Sequence, residues 1–228
     1  MSMEFLSKLI EKLRVLVKLR YLVYAVLTGI VLYHSVYFEP LDQHQLQQNQ
    51  GELQPAEFAR DFWENRLLKN LERAVSASKL IHLFKNDMAT AVQQYGQTLG
   101  ISSTHSYLVQ GQGRITAVNN NGVEINIEAP PDSPEVFIET RDIFGNAVRD
   151  ASGLLNIDDF RSTMEFNAIS VEINKIIREE VVPEILQETE VGRSIRFVGA
   201  AEVNEDNPEI SPLHIVPIQV QFGDRQIS

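Results

Sequence analysis

The chain has 228 residues, 31 acids against 20 lysines and arginines, a net charge of −11 and no cysteine. The length allows one substantial domain or two small ones, and the missing cysteine excludes disulfides, thiolate metal sites, a cysteine nucleophile and a lipid-bearing cysteine. The charge is uneven: residues 1–38 carry five cations and two acids, a balance of +3, so the rest carries −14. An acidic body with no basic stripe repels nucleic acid, and no nucleic-acid partner is expected.

The first 20 residues alternate Leu, Ile and Val with Lys, Arg and Glu. This is the pattern of an amphipathic segment on an inner leaflet. Tyr21 to Phe38 follows without a formal charge. At about 1.5 Å per residue, these residues reach roughly the hydrocarbon thickness of a bilayer. Tyrosines flank both ends, with Lys18 and Arg20 before the run and Glu39 and Asp42 after it. The positive-inside rule then predicts a single transmembrane helix at 21–38, its N-terminus in the cytoplasm and the body in the periplasm. Residues around His34 to Phe38 have no small-x-small cleavage pattern, which argues against a removed signal peptide. Residues 39–54, rich in glutamine, read as a tether.

The extracytoplasmic domain is expected over 55–222, with 223–228 as a tail. Pro55 suits a first helical turn, and Phe58, Phe62, Trp63, Leu67, Leu71 and Ala74 recur at helical spacing over 55–75. A second helix opens near Ser78, and a third follows Asp87 and stops at Gly96. Tyr107 to Val118 then reads as a strand, its glycines Gly111 and Gly113 suggesting a bulge or a tight coil. Asn119 to Gly122 is a hairpin turn, and Val123, Ile125 and Ile127 alternate with polar residues in the next strand. Val136 to Thr140 is a short strand. Residues 141–156 show no period. Helical spacing resumes from Asn156 and runs to Val181, with Pro183 ending or kinking it. Ser194–Val203 and His214–Phe222 are two closing strands. Three strands, a helical crossover and two strands is the order of an OB-type barrel. The predicted fold is therefore α+β: a transmembrane helix, then helices flanking a small OB-like five-stranded barrel.

No catalytic constellation is legible. His34, His44, His82, His105 and His214 are scattered without ligand spacing, and there is no HExxH, nucleophile elbow or phosphate loop. No metal or cofactor is expected. Asp158-Asp159 reads as first-turn charge favouring a helix dipole. The most distinctive stretch surrounds Asn146, Arg149 and Asp150, before a Ser152-Gly153 turn. It has two readings. Arg149 and Asp150, with Asn146, form a ligand or partner site, since a guanidinium fork matches carboxylates and sugar hydroxyls. Alternatively, the ion pair fixes its loop against the helix at 157–166. Trp63 is read as core, whereas an exposed Trp63 near Arg149 would be a platform for stacking a sugar.

Several short motifs recur in an order resembling a known bacterial family. They are Pro40-Leu41-Asp42, Phe62-Trp63-Glu64-Asn65, Gly111-Gln112-Gly113 leading into Ile115 to Asn119, Gly145 to Ala151, Asp159-Phe160, Met164-Glu165-Phe166, Phe197 to Ala200 and Val216-Pro217-Ile218. Over about residues 40–222 the chain resembles domain of unknown function 2291, described as predicted periplasmic lipoproteins. Many members carry a cysteine shortly before the Pro-Leu-Asp; here Val36 to Glu39 stands there, so the apolar helix would replace the lipid. The resemblance supplies no activity. Similar members are often encoded near ribose-type sugar-uptake ABC transporters, which implies a non-enzymatic accessory role with transporter components as partners. The alternatives are a carboxylate-dependent glycan hydrolase, for which Glu139, Asp142, Asp150 and Glu165 are candidates, and a purely structural envelope protein.

Overall fold

A computed structural model describes Tyr24 and residues 53–127 and 135–223. The predicted span 21–38 therefore lies outside the described residues, apart from Tyr24. Among the described residues no helix is long and apolar enough to cross a membrane. The chain divides into two units at 52/53, and the second carries everything below.

The domain opens with a helical run. Helix α1 (Pro55–Asp61) starts on Pro55, whose missing N–H costs nothing in a first turn. It widens into a π turn at Phe62–Leu67 and tightens into a 3₁₀ turn at Leu68–Arg73. Its apolar stripe, including Ala59, Phe62, Trp63 and Leu67, is buried. Strand β1 (Val75–Ser76) follows, then helices α2 (Ala77–Asn86) and α3 (Met88–Tyr95). Asp87 caps α3 by accepting from the Thr90 N–H.

Next come strands β2 (Thr104–Val118), β3 (Gly122–Asn126) and β4 (Val136–Glu139). Helix α4 (Ala147–Ser152) occupies the stretch that shows no period in the sequence. A 3₁₀ turn at Ile157–Asp159 is capped by Asn156, and the long helix α5 (Thr163–Ile176) begins later, on Ser162. Asp158 and Asp159 therefore belong to the short turn, not to α5. A π turn at Ile177–Val181 leads into α6 (Val182–Glu188). Pro183 sits in the first turn of α6, so the helical run neither ends nor breaks there: the wide turn before it accommodates the residue without an N–H. Strands β5 (Ser194–Asn204) and β6 (Leu213–Phe222) close the chain.

The sheet has six strands in the order β1-β2-β3-β4-β6-β5, with β2 also pairing β5. The ladders β2–β3, β3–β4, β4–β6, β6–β5 and β5–β2 thus form a closed ring, with β1 added in parallel beside β2. Only β4–β6 within the ring is parallel. Inside it lie Val109, Ile115, Val123, Ile125, Ile138, Ile195, Phe197 and Ile215.

Gly111 and Gly113 face this interior. A Cβ on Gly111 would stand 2.5 Å from the Phe197 ring, and one on Gly113 2.3 Å from the Asn126 carbonyl oxygen. They give space to a ring and a neighbouring strand. The bulge lies further on, between Ile115 and Ala117.

Candidate functional site

Arg149 is 3% exposed and lies at the contact of α4 with α5. Its Nε donates to Asp150 Oδ1 at 2.7 Å, and Nη1 donates to the Phe166 carbonyl and to Asn167 Oδ1, both at 3.1 Å. Its guanidinium carbon stands 3.6 Å from the centroid of the Phe166 ring. Two further bonds fix the preceding loop to the same helical run: Asn174 Nδ2 donates to the Gly145 carbonyl at 2.9 Å, and Arg178 Nη1 to that of Ile143 at 2.6 Å. Asn146 is half-buried at the start of α4, where its carbonyl accepts from the Asp150 N–H. Gly153 ends α4 in the left-handed region at φ 60°. Arg149 and Asp150 thus form a pin between two helices, with the fork turned inward. Trp63 is 4% exposed and core, so no stacking platform forms there.

The carboxylates named as hydrolase candidates each have a partner of their own or face solvent. Glu139 Oε1 lies 2.6 Å from His214 Nδ1, Glu165 Oε2 accepts from the Arg161 N–H, Asp150 holds Arg149, and Asp142 is exposed. The electrostatic neighbour of Asp150 is Glu202 on β5. Glu202 is exposed in area, yet the protein around its carboxyl disfavours the charged form, and this desolvation is the largest cause of a pKa above the ordinary carboxylate range. The like charge of Asp150 adds to it, while a hydrogen bond from Ser106 and the charge of Arg149 oppose it. Among the described residues no group of three His, Asp or Glu could hold a metal ion.

The β2–β5 ladder carries a second arrangement. It runs unbroken from Thr104↔Asn204 to Arg114↔Ser194. Its outer face reads Ser106–Glu202, Leu108–Ala200, Gln110–Val198 and Gln112–Arg196, because side chains alternate at period two. Helix α4 packs on β2 and β5 at the Ser106–Glu202 end, where Ser106, Leu108 and Ala200 are buried. Beyond it the face is open. There β6 adds Gln219 beside Val198 and Gln221 beside Arg196, and β1 adds Ser76 beside Gln110.

These residues line a groove of about 460 Å³, within the size range of small-molecule sites. A smaller recess of about 190 Å³ continues it past Ser194 and Phe222. Among the described residues, neither is lined by a carboxylate or a histidine. Two amides are oriented by protein. Gln110 Nε2 donates to the Ala74 carbonyl, and Gln112 Oε1 accepts from Arg196 Nε at 2.8 Å, so the two amides are held through opposite ends. Gln219 and Gln221 pair through their backbones with β5, and their side-chain amides make no hydrogen bond to another described residue. The groove is missed in the sequence, where its one signal is the repeated Gln-x-Gln of Gln110/Gln112 and Gln219/Gln221.

A family profile described as "Predicted periplasmic lipoprotein (DUF2291)" matches residues 26–221, and the chain belongs to this family. Its description places the family in the bacterial envelope. No curated protein matches the chain at a significant level. Among solved structures, the chain is similar to an ob-fold protein from Thermotoga maritima MSB8, with a TM-score of 0.68 and 23% identity over 76% of this chain and 100% of that one. That likeness shows the fold: α+β, built on an OB-type arrangement.

Proposed function

We propose that this family member is a non-catalytic accessory protein of the envelope, anchored in the inner membrane by residues 21–38, whose OB-like barrel binds through the open face of β2, β5 and β6. In this reading it works beside a sugar-uptake ABC transporter. The observation that carries it is the groove: its amides, hydroxyl and guanidinium can hold a ligand, and among the described residues no carboxylate or histidine lines it to move a proton. Arg149 serves this surface indirectly, by holding α4 where the open face begins.

The test is chemical cross-linking in intact cells, then purification of the tagged full-length chain and mass spectrometry of what remains attached. Permease or substrate-binding subunits of a sugar transporter are expected, and are lost when residues 55–222 are deleted. A set of attached proteins identical to that of an unrelated membrane control would refute the accessory role. Extraction of the full chain from membranes by alkaline carbonate would refute the anchor.

A further inference from the structure

We infer that the groove is a saccharide site, taking a neutral, hydroxyl-rich ligand across β2, β5 and β6. This inference rests on the non-catalytic binding role proposed above and names the ligand class. The argument is one of matching donors and acceptors. An amide offers a C=O acceptor and an NH₂ donor in one plane. Hydroxyl pairs on a sugar ring donate and accept in turn, so each amide can serve two of them.

Other chemistries fit less well. A phosphate or carboxylate ligand needs donors alone, and an amide oxygen turned to it would oppose it; among the described residues Arg196 is the one cation in the lining. A metal ion or amine needs acceptors with negative charge, and among the described residues no carboxylate lines the groove. A peptide laid on a sheet face depends on apolar pockets for its side chains, and Val198 is the apolar side chain on this stretch of the outer ladder.

The amides are also pre-positioned. Gln110 is held by Ala74 through its NH₂ and Gln112 by Arg196 through its oxygen, so the Gln110 oxygen and the Gln112 NH₂ remain to serve a ligand as acceptor and donor on one strand. The Gln112–Arg196–Gln221 row crosses three strands at the inter-strand spacing of roughly 5 Å. This is close to the repeat of a pyranose chain, so successive rings can meet successive strands.

The test uses the full-length chain in mild detergent. Ribose, maltotetraose and cellotetraose are titrated calorimetrically and by side-chain amide shifts, with tetragalacturonate and a neutral Gly-Ser peptide as contrasts. At least one neutral saccharide should bind and shift the groove glutamine amides. Its affinity should fall about tenfold in Gln112→Ala/Gln221→Ala, since each truncation removes a hydrogen-bonding group, with Tm unchanged. Equal binding of ribose and the tetrasaccharides identifies free sugar as the source; binding of tetrasaccharides alone identifies a glycan strand. The inference is overturned if no saccharide binds, if the double variant binds as well as wild type, or if the uronate or peptide binds more tightly. If the double variant then still loses its partner in cells, the groove is a protein site and the accessory role stands. Cleavage of a tetrasaccharide would instead remove the non-catalytic role itself.

Discussion

The guanidinium carbon of Arg149 stands over the ring of Phe166, 3.6 Å from its centroid, while Nη1 donates to the Phe166 carbonyl. One residue of α5 thus meets the guanidinium with both its ring and its carbonyl. Truncation would strand Asp150, the carbonyl and Asn167 together. Arg149→Ala is expected to lose about 3–5 kcal/mol, as for other broken buried pairs. Arg149→Lys should recover less than half, because an ammonium has neither the plane nor the fork. Urea unfolding measures both. Wild-type stability in Arg149→Ala, combined with loss of binding, would return Arg149 to the role of ligand contact.

Gly122 follows a turn yet does not have positive φ. Its constraint is space: a Cβ would stand 2.2 Å from the Ile138 carbonyl oxygen and 2.7 Å from the Phe137 ring. Gly122→Ala should therefore push β3 from β4 and cost about 2–3 kcal/mol, in the range of overpacking. Gly122→Ala with unchanged unfolding would contradict the close approach.

The raised pKa of Glu202 fixes a pH dependence. Between the unfolded carboxyl's value near 4.5 and its higher folded value, the folded state holds the extra proton, so stability falls as pH rises through that window. Above it, the charged form is a net burden. Glu202→Gln should stabilise the chain at pH 7 and lose that advantage below pH 4. A variant less stable at pH 7 would show that the Ser106 hydrogen bond outweighs desolvation and Asp150.

Tyr107 is fully buried against Phe84, its hydroxyl has no hydrogen-bond partner among the described residues, and burial, then the charge of Glu205, pushes its pKa up to about 12. The unfolded chain ionises near 10, so stability holds below pH 10 and falls as pH rises towards 12. The full loss is at most about 2–3 kcal/mol. Tyr107→Phe should remove this alkaline limb and leave stability at pH 7 within about 1 kcal/mol of wild type. Persistence of the limb would assign it to another group.

The strand order was legible because β3, β5 and β6 alternate in plain sight, and the helices because Phe62, Trp63 and Leu67 or Ile169, Ile173 and Ile177 repeat on one side. Helix α4 was not: Ala147, Val148, Arg149, Ala151 and Ser152 are all buried, so no polar face marks a period. Strand β1 is too short to show one. Asn146, Arg149 and Asp150 stood out as unusual, but only contacts with Phe166 and Asn167 reveal that the fork points inward. The groove was hidden because Gln112, Arg196 and Gln221 come together through register, which no local pattern states.

The most direct test of the open face as the binding surface is in cells. Tagged full-length wild type and Gln112→Ala/Gln221→Ala are cross-linked in parallel, and the attached species are quantified by mass spectrometry after both chains are shown to melt alike. Exposed substitutions of this kind leave stability within about 0.5 kcal/mol. The double variant should lose most of the species that wild type recovers. Recovery of the same species in the same yield would show that binding takes place elsewhere on the domain.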